Sequence, residues 1–225
     1  IVMIPTYGNT AFIDALFDAG AVGFNHGTLI RFKSGVVSPG AYINNRVLPC
    51  YPEAWDVVVK AMTQRAQELS NEYDVIASVA TGAIVHGAAV ARLVGKPHVI
   101  VKKEEKTTHG LKGLIDGDAS LLQGARVLLI EDMSSTFESS LRAMKPLETV
   151  GATITHTLII NSWDFPIFQI NIGEHLVNVG CFGEDLIFGA HRLGLIKEPY
   201  TNQLLAWVKN PNNESWITPL WSYPD

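Results

Sequence analysis

Cysteine is almost absent from the sequence: Cys50 and Cys181 are the only two among 225 residues. Two cysteines cannot build a disulfide scaffold, so we expect a protein of the reducing cytoplasm. Long apolar runs are missing as well. The longer ones, such as residues 125–130, have the length of a buried strand, whereas a membrane span needs roughly 18 apolar residues. The first residues show no basic segment followed by an apolar stretch, so no secretion signal is expected.

Positive charge is in the minority, with 17 Lys and Arg against 22 Asp and Glu and a formal net charge of −5. Proteins that coat nucleic acid use clustered basic residues to release counterions from the phosphates, so we expect no nucleic-acid partner. The lack of a long apolar run predicts no membrane partner. Four basic residues nevertheless fall within eleven positions beside His109. They are Lys102, Lys103, Lys106 and Lys112, and in an otherwise acidic chain this cluster requires an explanation.

What is present is the composition of a folded protein, with 47% apolar residues and 17% charged ones. No repeat or linker divides the chain, so we expect a single domain over residues 1–225. Near-continuous apolar segments alternate with amphipathic ones, which predicts an α/β fold with a parallel sheet flanked by helices. We place this core at about residues 52–165, and a small cap, or hood, at about residues 1–50 and 166–225.

Ligands of parallel sheets bind at the carboxyl ends of the strands, and one polar stretch at that position carries a recognisable pattern. An apolar strand predicted over residues 126–130 leads into Glu131 and Asp132, and a hydroxyl-rich turn then opens a helix. Free N–H groups at a helix N-terminus bind phosphate, and carboxylates accept hydrogen bonds from sugar hydroxyls, so the pattern predicts a phosphosugar site. An ordinary strand followed by a serine cap has the same appearance, and these residues leave both interpretations open.

The lysine-rich loop admits two interpretations as well, because a charge run is most often a solvated surface. This loop, however, follows a predicted buried strand at the ligand edge and ends in glycines at positions 110, 113 and 117. Lysines on a mobile loop can close over a polyanion and exclude water. Together with the phosphosugar pattern, the loop favours a functional site. His86, in an apolar helix, is expected to be packed, and no histidine or cysteine spacing predicts zinc.

Four segments combine into a larger pattern. Residues 32–35 read F-K-S-G and are followed by Ser38, Pro39, Tyr42 and Arg46, residues 79–84 read V-A-T-G-A-I, and the lysine loop of residues 102–110 is followed by I-D-G at residues 115–117. The fourth segment is the acidic and hydroxyl-rich stretch of residues 131–140. In this order and spacing they resemble the N-terminal, pyrophosphate, lysine and ribose-phosphate motifs of the type I phosphoribosyltransferases. The first segment is similar to the orotate phosphoribosyltransferases in particular.

This resemblance implies transfer of a phosphoribosyl group from phosphoribosyl pyrophosphate to orotate, which gives orotidine 5′-monophosphate and pyrophosphate. It also implies a homodimer, because in the family the lysine loop closes over the neighbouring subunit's site. Mg²⁺ is the implied cofactor, held mainly by the substrate's pyrophosphate and without a protein metal site. The implied catalytic residues are Lys103, Lys106, His109 and Asp132. The implied substrate-binding residues are Lys33, Thr81, Gly82, Lys102, Glu131, Met133, Ser134, Ser135, Thr136, Phe137, Glu138 and Ser139.

The sequence departs from the family pattern at several places, including one inserted residue before His109 and another after Pro39. Lys102 stands where the family has Arg, and residues 161–164 lack the Arg that many relatives use for the orotate carboxylate. Phe137 and Glu138 occupy positions that are small in the family, where we expect bulk and negative charge to weaken phosphate binding.

Two alternatives therefore stay open. A purine or other nucleobase phosphoribosyltransferase would change the base, and the segment around Lys33 speaks against it. A non-catalytic nucleotide- or phosphosugar-binding regulator would keep the fold. Phe137 and Glu138 support that reading, whereas the lysines of the loop oppose it.

Overall fold

The computed structural model of the chain describes residues 4–102, 111–213 and 216, apart from the side chains of residues 111 and 112. The helices are α1 Thr10–Asp18, α2 Pro52–Glu68, α3 Ile84–Val94, α4 Glu138–Thr149, α5 Pro166–Ile172, α6 Gly183–Arg192 and α7 Tyr200–Lys209. The strands are β1 Val22–Phe24, β2 Ile30–Arg31, β3 Val37–Ser38, β4 Ala41–Ile43, β5 Val75–Val79, β6 His98–Val101, β7 Ile115–Asp116, β8 Arg126–Ser134, β9 Thr153–Ser162 and β10 Val177–Phe182. A short 3₁₀ helix covers Asn45–Cys50.

A central sheet of six strands organises the described residues, in the order β10-β9-β8-β5-β6-β7. Its strands run parallel except at the edge, where β7 pairs with β6 in the antiparallel sense. All five residues of β5 are buried, as expected of a strand covered on both faces. The predicted α/β fold with helices flanking a parallel sheet is confirmed.

The two faces of the sheet bury different residues of the same strand. In β8, Leu128 and Ile130 pack into one apolar cluster with α1, α2, α3, α6 and α7. Val127 and Leu129 pack into a second cluster, which contains residues of α4 and α5. This alternation follows from the two-residue period of a strand, and it decides which way each side chain near the strand end points.

Strand β8 is longer than predicted. The sequence places its end at Ile130, whereas pairing with β9 continues to Met133 and Ser134. The two acidic residues that we expected at the turn therefore lie on the strand itself. The reason is burial, because Glu131 is fully enclosed and a buried backbone must satisfy its hydrogen bonds within the sheet.

The cap is built from both ends of the described chain. Two small antiparallel pairs, β1 with β4 and β2 with β3, form its N-terminal part. Helix α7 packs against them, and the Nε1–H of Trp207 donates a hydrogen bond of 2.8 Å to the carbonyl of Val37. The rings of Trp163, Phe165 and Phe32 surround Trp207 with centroids 5.0 to 6.1 Å away.

The predicted cap boundary at residue 166 is wrong for one strand. β10 pairs in parallel with β9 and so belongs to the central sheet. The short helix α5, which the sequence did not predict, connects these two strands. None of the described helices combines the length and apolar character that crossing a bilayer requires.

Candidate active site

A cavity of about 1100 Å³ opens at the carboxyl ends of β5, β6 and β8. Four parts of the chain line it: the cap, the segment after β5, the end of β6 with the residues before and within β7, and the end of β8 with the start of α4. The predicted binding residues that line it are Lys33, Thr81, Lys102, Asp132, Met133, Ser135, Thr136, Glu138 and Ser139. The folded chain therefore brings together residues from all four sequence motifs.

Asp132 lies against the backbone of the segment that follows β5. A Cβ atom added to Gly82 would stand 2.1 Å from Oδ2 of Asp132, so only glycine leaves room for this carboxylate. The peptide bond that joins Ala80 to Thr81, just before this contact, is cis. Gly82 does not itself line the cavity, and its part in the site is to let Asp132 take its position.

The neighbouring carboxylate, Glu131, points elsewhere. Adjacent residues of a strand face opposite sides of the sheet, and Glu131 turns toward α4, where the hydroxyl of Ser140 donates to its Oε2 at 3.5 Å. The Glu131 side chain is fully buried and does not line the cavity. Of the two carboxylates, the structure therefore brings only Asp132 to the cavity, because β8 continues through Glu131. The expected contact of Glu131 with the ligand stays a prediction.

The phosphate turn, residues 134–139, adopts a geometry that the sequence did not reveal. Phe137 has a φ of 64° and a fully buried ring. That ring packs against Phe168 and His175 with centroid distances of 5.8 and 6.0 Å. The Phe137 N–H donates to Oγ of Ser134 at 3.0 Å. Phe137 and Ser134 therefore pack on the side of the turn away from the cavity, and the Phe137 ring leaves the cavity open.

Glu138 does lie at the cavity, as the first residue of α4, and an unexpected cation accompanies it. Arg142, one turn further along the helix, lines the same cavity, and its Nη1 stands 3.8 Å from Oε2 of Glu138. The negative charge predicted to oppose phosphate thus has a positive neighbour. The spacing of four residues between Glu138 and Arg142 is the signal that could have found this pair.

Lys102 is the one residue of the lysine loop with a described side chain in the cavity. Its Nζ forms an ion pair of 2.8 Å with Asp116 on β7, and both side chains are about half exposed. Asp116 was not predicted as a site residue, although it belongs to the I-D-G segment. Lys103, Lys106 and His109 lie outside the described residues.

Asn45, in the 3₁₀ helix of the cap, forms hydrogen bonds with the strand ends that border the site. Its buried side-chain amide donates to the backbone carbonyl of Asp132 at 2.7 Å and to Oδ1 of Asn161 at 3.0 Å. These bonds tie the 3₁₀ helix to the ends of both β8 and β9. The next residue, Arg46, is exposed and lines the cavity, as Lys33 of the cap also does.

His86 packs beneath the site, as expected, and does not line the cavity. Its Nδ1 accepts a hydrogen bond of 2.9 Å from the indole Nε1–H of Trp55. Burial lowers the pKa of His86, and the negative charge of Asp132 opposes this shift in part. Because the indole N–H can only donate, Nδ1 is the acceptor, and the neutral ring carries its proton on Nε2.

Among residues 4–102, 111–213 and 216, no group of three or more histidine, cysteine, aspartate or glutamate side chains could hold a metal ion. The cavity does present hard oxygen donors, namely the carboxylates of Asp132 and Asp116 and several hydroxyls. Mg²⁺ is commonly bound by one or two carboxylates together with substrate phosphates. The donor set therefore fits a Mg²⁺ ion that arrives with a polyphosphate.

Comparison with known proteins agrees with this arrangement. Residues 51–162 match the phosphoribosyl transferase domain family. An orotate phosphoribosyltransferase from Coxiella burnetii is 33% identical over 205 residues, which cover 89% of this chain and 94% of that protein. This chain belongs to the orotate phosphoribosyltransferase family. The resemblance noted in the sequence is thereby confirmed.

Solved structures of orotate phosphoribosyltransferases and related proteins share the fold. UMP synthase from Leishmania donovani matches with a TM-score of 0.75 and 22% identity, and the match covers 88% of this chain and 42% of that one. The orotate phosphoribosyltransferase of Mycobacterium tuberculosis, in complex with 5-phospho-alpha-D-ribosyl 1-diphosphate, matches with a TM-score of 0.58 and 18% identity. That match covers 80% of this chain and 93% of the other.

Proposed function

We propose that the protein transfers the phosphoribosyl group of phosphoribosyl pyrophosphate to orotate and releases pyrophosphate. One observation carries this proposal: a single cavity combines a hydroxyl-lined helix N-terminus, the carboxylate of Asp132 and cations on two sides. A phosphosugar needs the first two features, and an anionic base and a pyrophosphate need the cations.

Pyrophosphate departs from the anomeric carbon of the ribose, so negative charge grows on one side while the ribose becomes cationic. Lys102, held at the cavity by Asp116, stands where it can stabilise the growing negative charge. The carboxylate of Asp132 can accept hydrogen bonds from ribose hydroxyls and stabilise the cationic ribose. When bound, Mg²⁺ would neutralise charge on the pyrophosphate, with Asp132 and Asp116 as the nearby protein oxygens.

The base is proposed to bind between the cap and the end of β8. Lys33 and Arg46 line this side of the cavity. Orotate carries a carboxylate that purines lack, and a guanidinium binds a carboxylate through two parallel hydrogen bonds. These cap residues compensate for the missing Arg in residues 161–164, and they favour orotate over a purine.

The loop residues Lys103, Lys106 and His109 are proposed to complete the site by closing over the pyrophosphate. In the family this closure acts across a dimer, and we extend the homodimer to this chain. We also propose a cytoplasmic location, with which the two free cysteines, Cys50 and Cys181, agree.

Measurement of pyrophosphate release tests the reaction. Purified protein, phosphoribosyl pyrophosphate and Mg²⁺ are combined with orotate, uracil, adenine, hypoxanthine or no base. We expect pyrophosphate release with orotate and with none of the other bases. This release should stop when EDTA removes the Mg²⁺. Release with a purine and not with orotate would replace the proposed base. No release with any base would support the non-catalytic alternative.

Subunit mixing tests the dimer. A Lys106→Ala subunit and an Asp132→Ala subunit should each have strongly reduced activity, and each removes a group from a different part of the site. If the loop acts across the interface, exchange of subunits regenerates some sites with both groups intact, and activity returns. No recovery, after subunit exchange has been demonstrated with labelled chains, would show that each chain completes its own site.

A further inference from the structure

We infer that Arg142 is a phosphate-binding residue of this site and that Glu138 is its partner only while the site is empty. The ligand class is a phosphomonoester dianion, such as the 5-phosphate of a phosphoribosyl group. The inference rests on the proposed function, since it assigns this residue to the phosphate end of the same cavity.

Placement provides the first argument. Arg142 and Glu138 both line the cavity, and so do Ser135, Thr136 and Ser139 of the phosphate turn. Helix α4 begins at Glu138 and is 12 residues long, so its N-terminal N–H groups are directed at the same region. Arg142 therefore adds a full positive charge to a turn that otherwise offers hydroxyls and backbone N–H groups.

The weakness of the Glu138–Arg142 pair provides the second argument. Their charged atoms stand 3.8 Å apart, beyond hydrogen-bond distance, and the two side chains are 56% and 52% exposed. Exposed pairs of this kind contribute little, because water screens them and ordering two long side chains costs entropy. A phosphomonoester carries nearly two negative charges at neutral pH and can take two parallel hydrogen bonds from a guanidinium. It is the stronger partner for Arg142.

The sequence of the turn explains why such a cation is needed. No Lys or Arg occurs between residues 127 and 141, and Glu138 brings a negative charge to the helix N-terminus. Without a compensating cation, the carboxylate of Glu138 would oppose a phosphate bound there. Across the cavity, Lys102 is already paired with Asp116. Arg142 is thus the cation of α4 that is placed to offset Glu138.

Titration calorimetry with ribose 5-phosphate and, separately, with inorganic pyrophosphate tests the inference without requiring turnover. We expect Arg142→Ala to weaken ribose 5-phosphate binding at least about tenfold, as loss of a charge-assisted bidentate contact should. Binding of pyrophosphate, for which we propose contact with Lys102, should change less than about twofold. Arg142→Lys should fall between wild type and Arg142→Ala, because it keeps the charge and loses the fork.

Glu138→Gln should tighten ribose 5-phosphate binding about threefold, because it removes a like charge and frees Arg142. Lys145→Ala is the matched control: Lys145 is exposed on the same helix, does not line the cavity, and its loss changes the net charge equally. Its binding of both ligands should equal that of wild type within about twofold. Thermal unfolding of each variant confirms that the fold is kept.

Three results would overturn the inference: equal affinity for ribose 5-phosphate in wild type and Arg142→Ala, equal weakening of both ligands, or the same effect from Lys145→Ala. Failure of the proposed function has a different signature. Wild type would then bind ribose 5-phosphate in an Arg142-dependent manner and release no pyrophosphate with any base.

Discussion

Strands β8 and β9 end side by side at the same edge of the sheet, yet only one of them opens into the cavity. The end of β8 contributes Asp132 and Met133 to the lining. On β9, Asn161 and Ser162 pair with Met133 and Ser134 of β8 but are fully buried.

The cap causes this difference. Asn161 is bonded to Asn45 of the 3₁₀ helix, and Trp163 lies fully buried beside Trp207 of α7. A strand end at the ligand edge is therefore available to a ligand only where no other part of the chain covers it. Residues 161–164 carry no Arg, and the cap presents Arg46 to the cavity.

Substitutions at the open end of β8 should have the largest effect on turnover. We expect Asp132→Asn to lower turnover by about 100- to 1000-fold, because a group that stabilises developing charge is lost. Stability should not change, since Asn45 bonds to the backbone carbonyl of residue 132 and not to its side chain. Steady-state kinetics and thermal unfolding measure the two effects. Turnover within tenfold of wild type would remove Asp132 from the mechanism.

Gly82 provides a second test of Asp132, because we expect Gly82 to affect turnover only by leaving room for the Asp132 carboxylate. Gly82→Ala places a Cβ where the carboxylate stands, and a displacement of this size can cost up to about 100-fold in turnover. In an Asp132→Ala background, the same substitution should cost almost nothing further. A double-mutant cycle measures this coupling. Additive effects would mean that Gly82 serves the site by another route.

Substitutions at the covered end of β9 should change the stability of the protein. Asn45→Ala leaves the carbonyl of Asp132 and Oδ1 of Asn161 without their buried donor, so we expect a loss of about 1–3 kcal/mol in the free energy of unfolding. Urea denaturation measures it. Asn44→Ala is the control, since this neighbouring asparagine is exposed and its side chain makes no hydrogen bond to a described residue. Equal stability of the two variants would contradict the bridging role of Asn45.

The smallest effect concerns His86, which lies between α2 and the end of β8. Its pKa is lowered by burial, so below the ordinary value of 6.5 the unfolded chain takes up a proton that the folded chain resists. The free energy of unfolding should therefore fall between pH 7 and 5, by less than about 1.4 kcal/mol per pH unit.

His86→Leu, which cannot titrate, should reduce the slope of this part of the stability profile. The slope that remains comes from His98, whose pKa burial also lowers. Glu72 and Asp118 do not obscure it, because their pKa values are lowered and their stabilising contributions are lost only below about pH 4.5. Chemical denaturation at several pH values measures the profile. An unchanged slope in the variant would mean that His86 does not resist protonation in the fold.

Much of this protein was readable from local sequence patterns. The strands of the parallel sheet follow from apolar runs, and the flanking helices follow from the amphipathic segments between them, such as α2, which buries Val58, Val59 and Met62. The order of four motifs indicated the family. These features depend on neighbours in the chain, and the sequence displays them directly.

The direction of individual side chains was decided only by the tertiary structure. Glu131 and Asp132 are adjacent and chemically alike, yet pairing of β8 with β9 sends one toward α4 and the other into the cavity. The ring of Phe137 lies outside the cavity because α5, which the sequence did not predict, supplies Phe168 to pack against it. Such outcomes depend on contacts between residues that are far apart in the chain, and a local pattern carries no information about them.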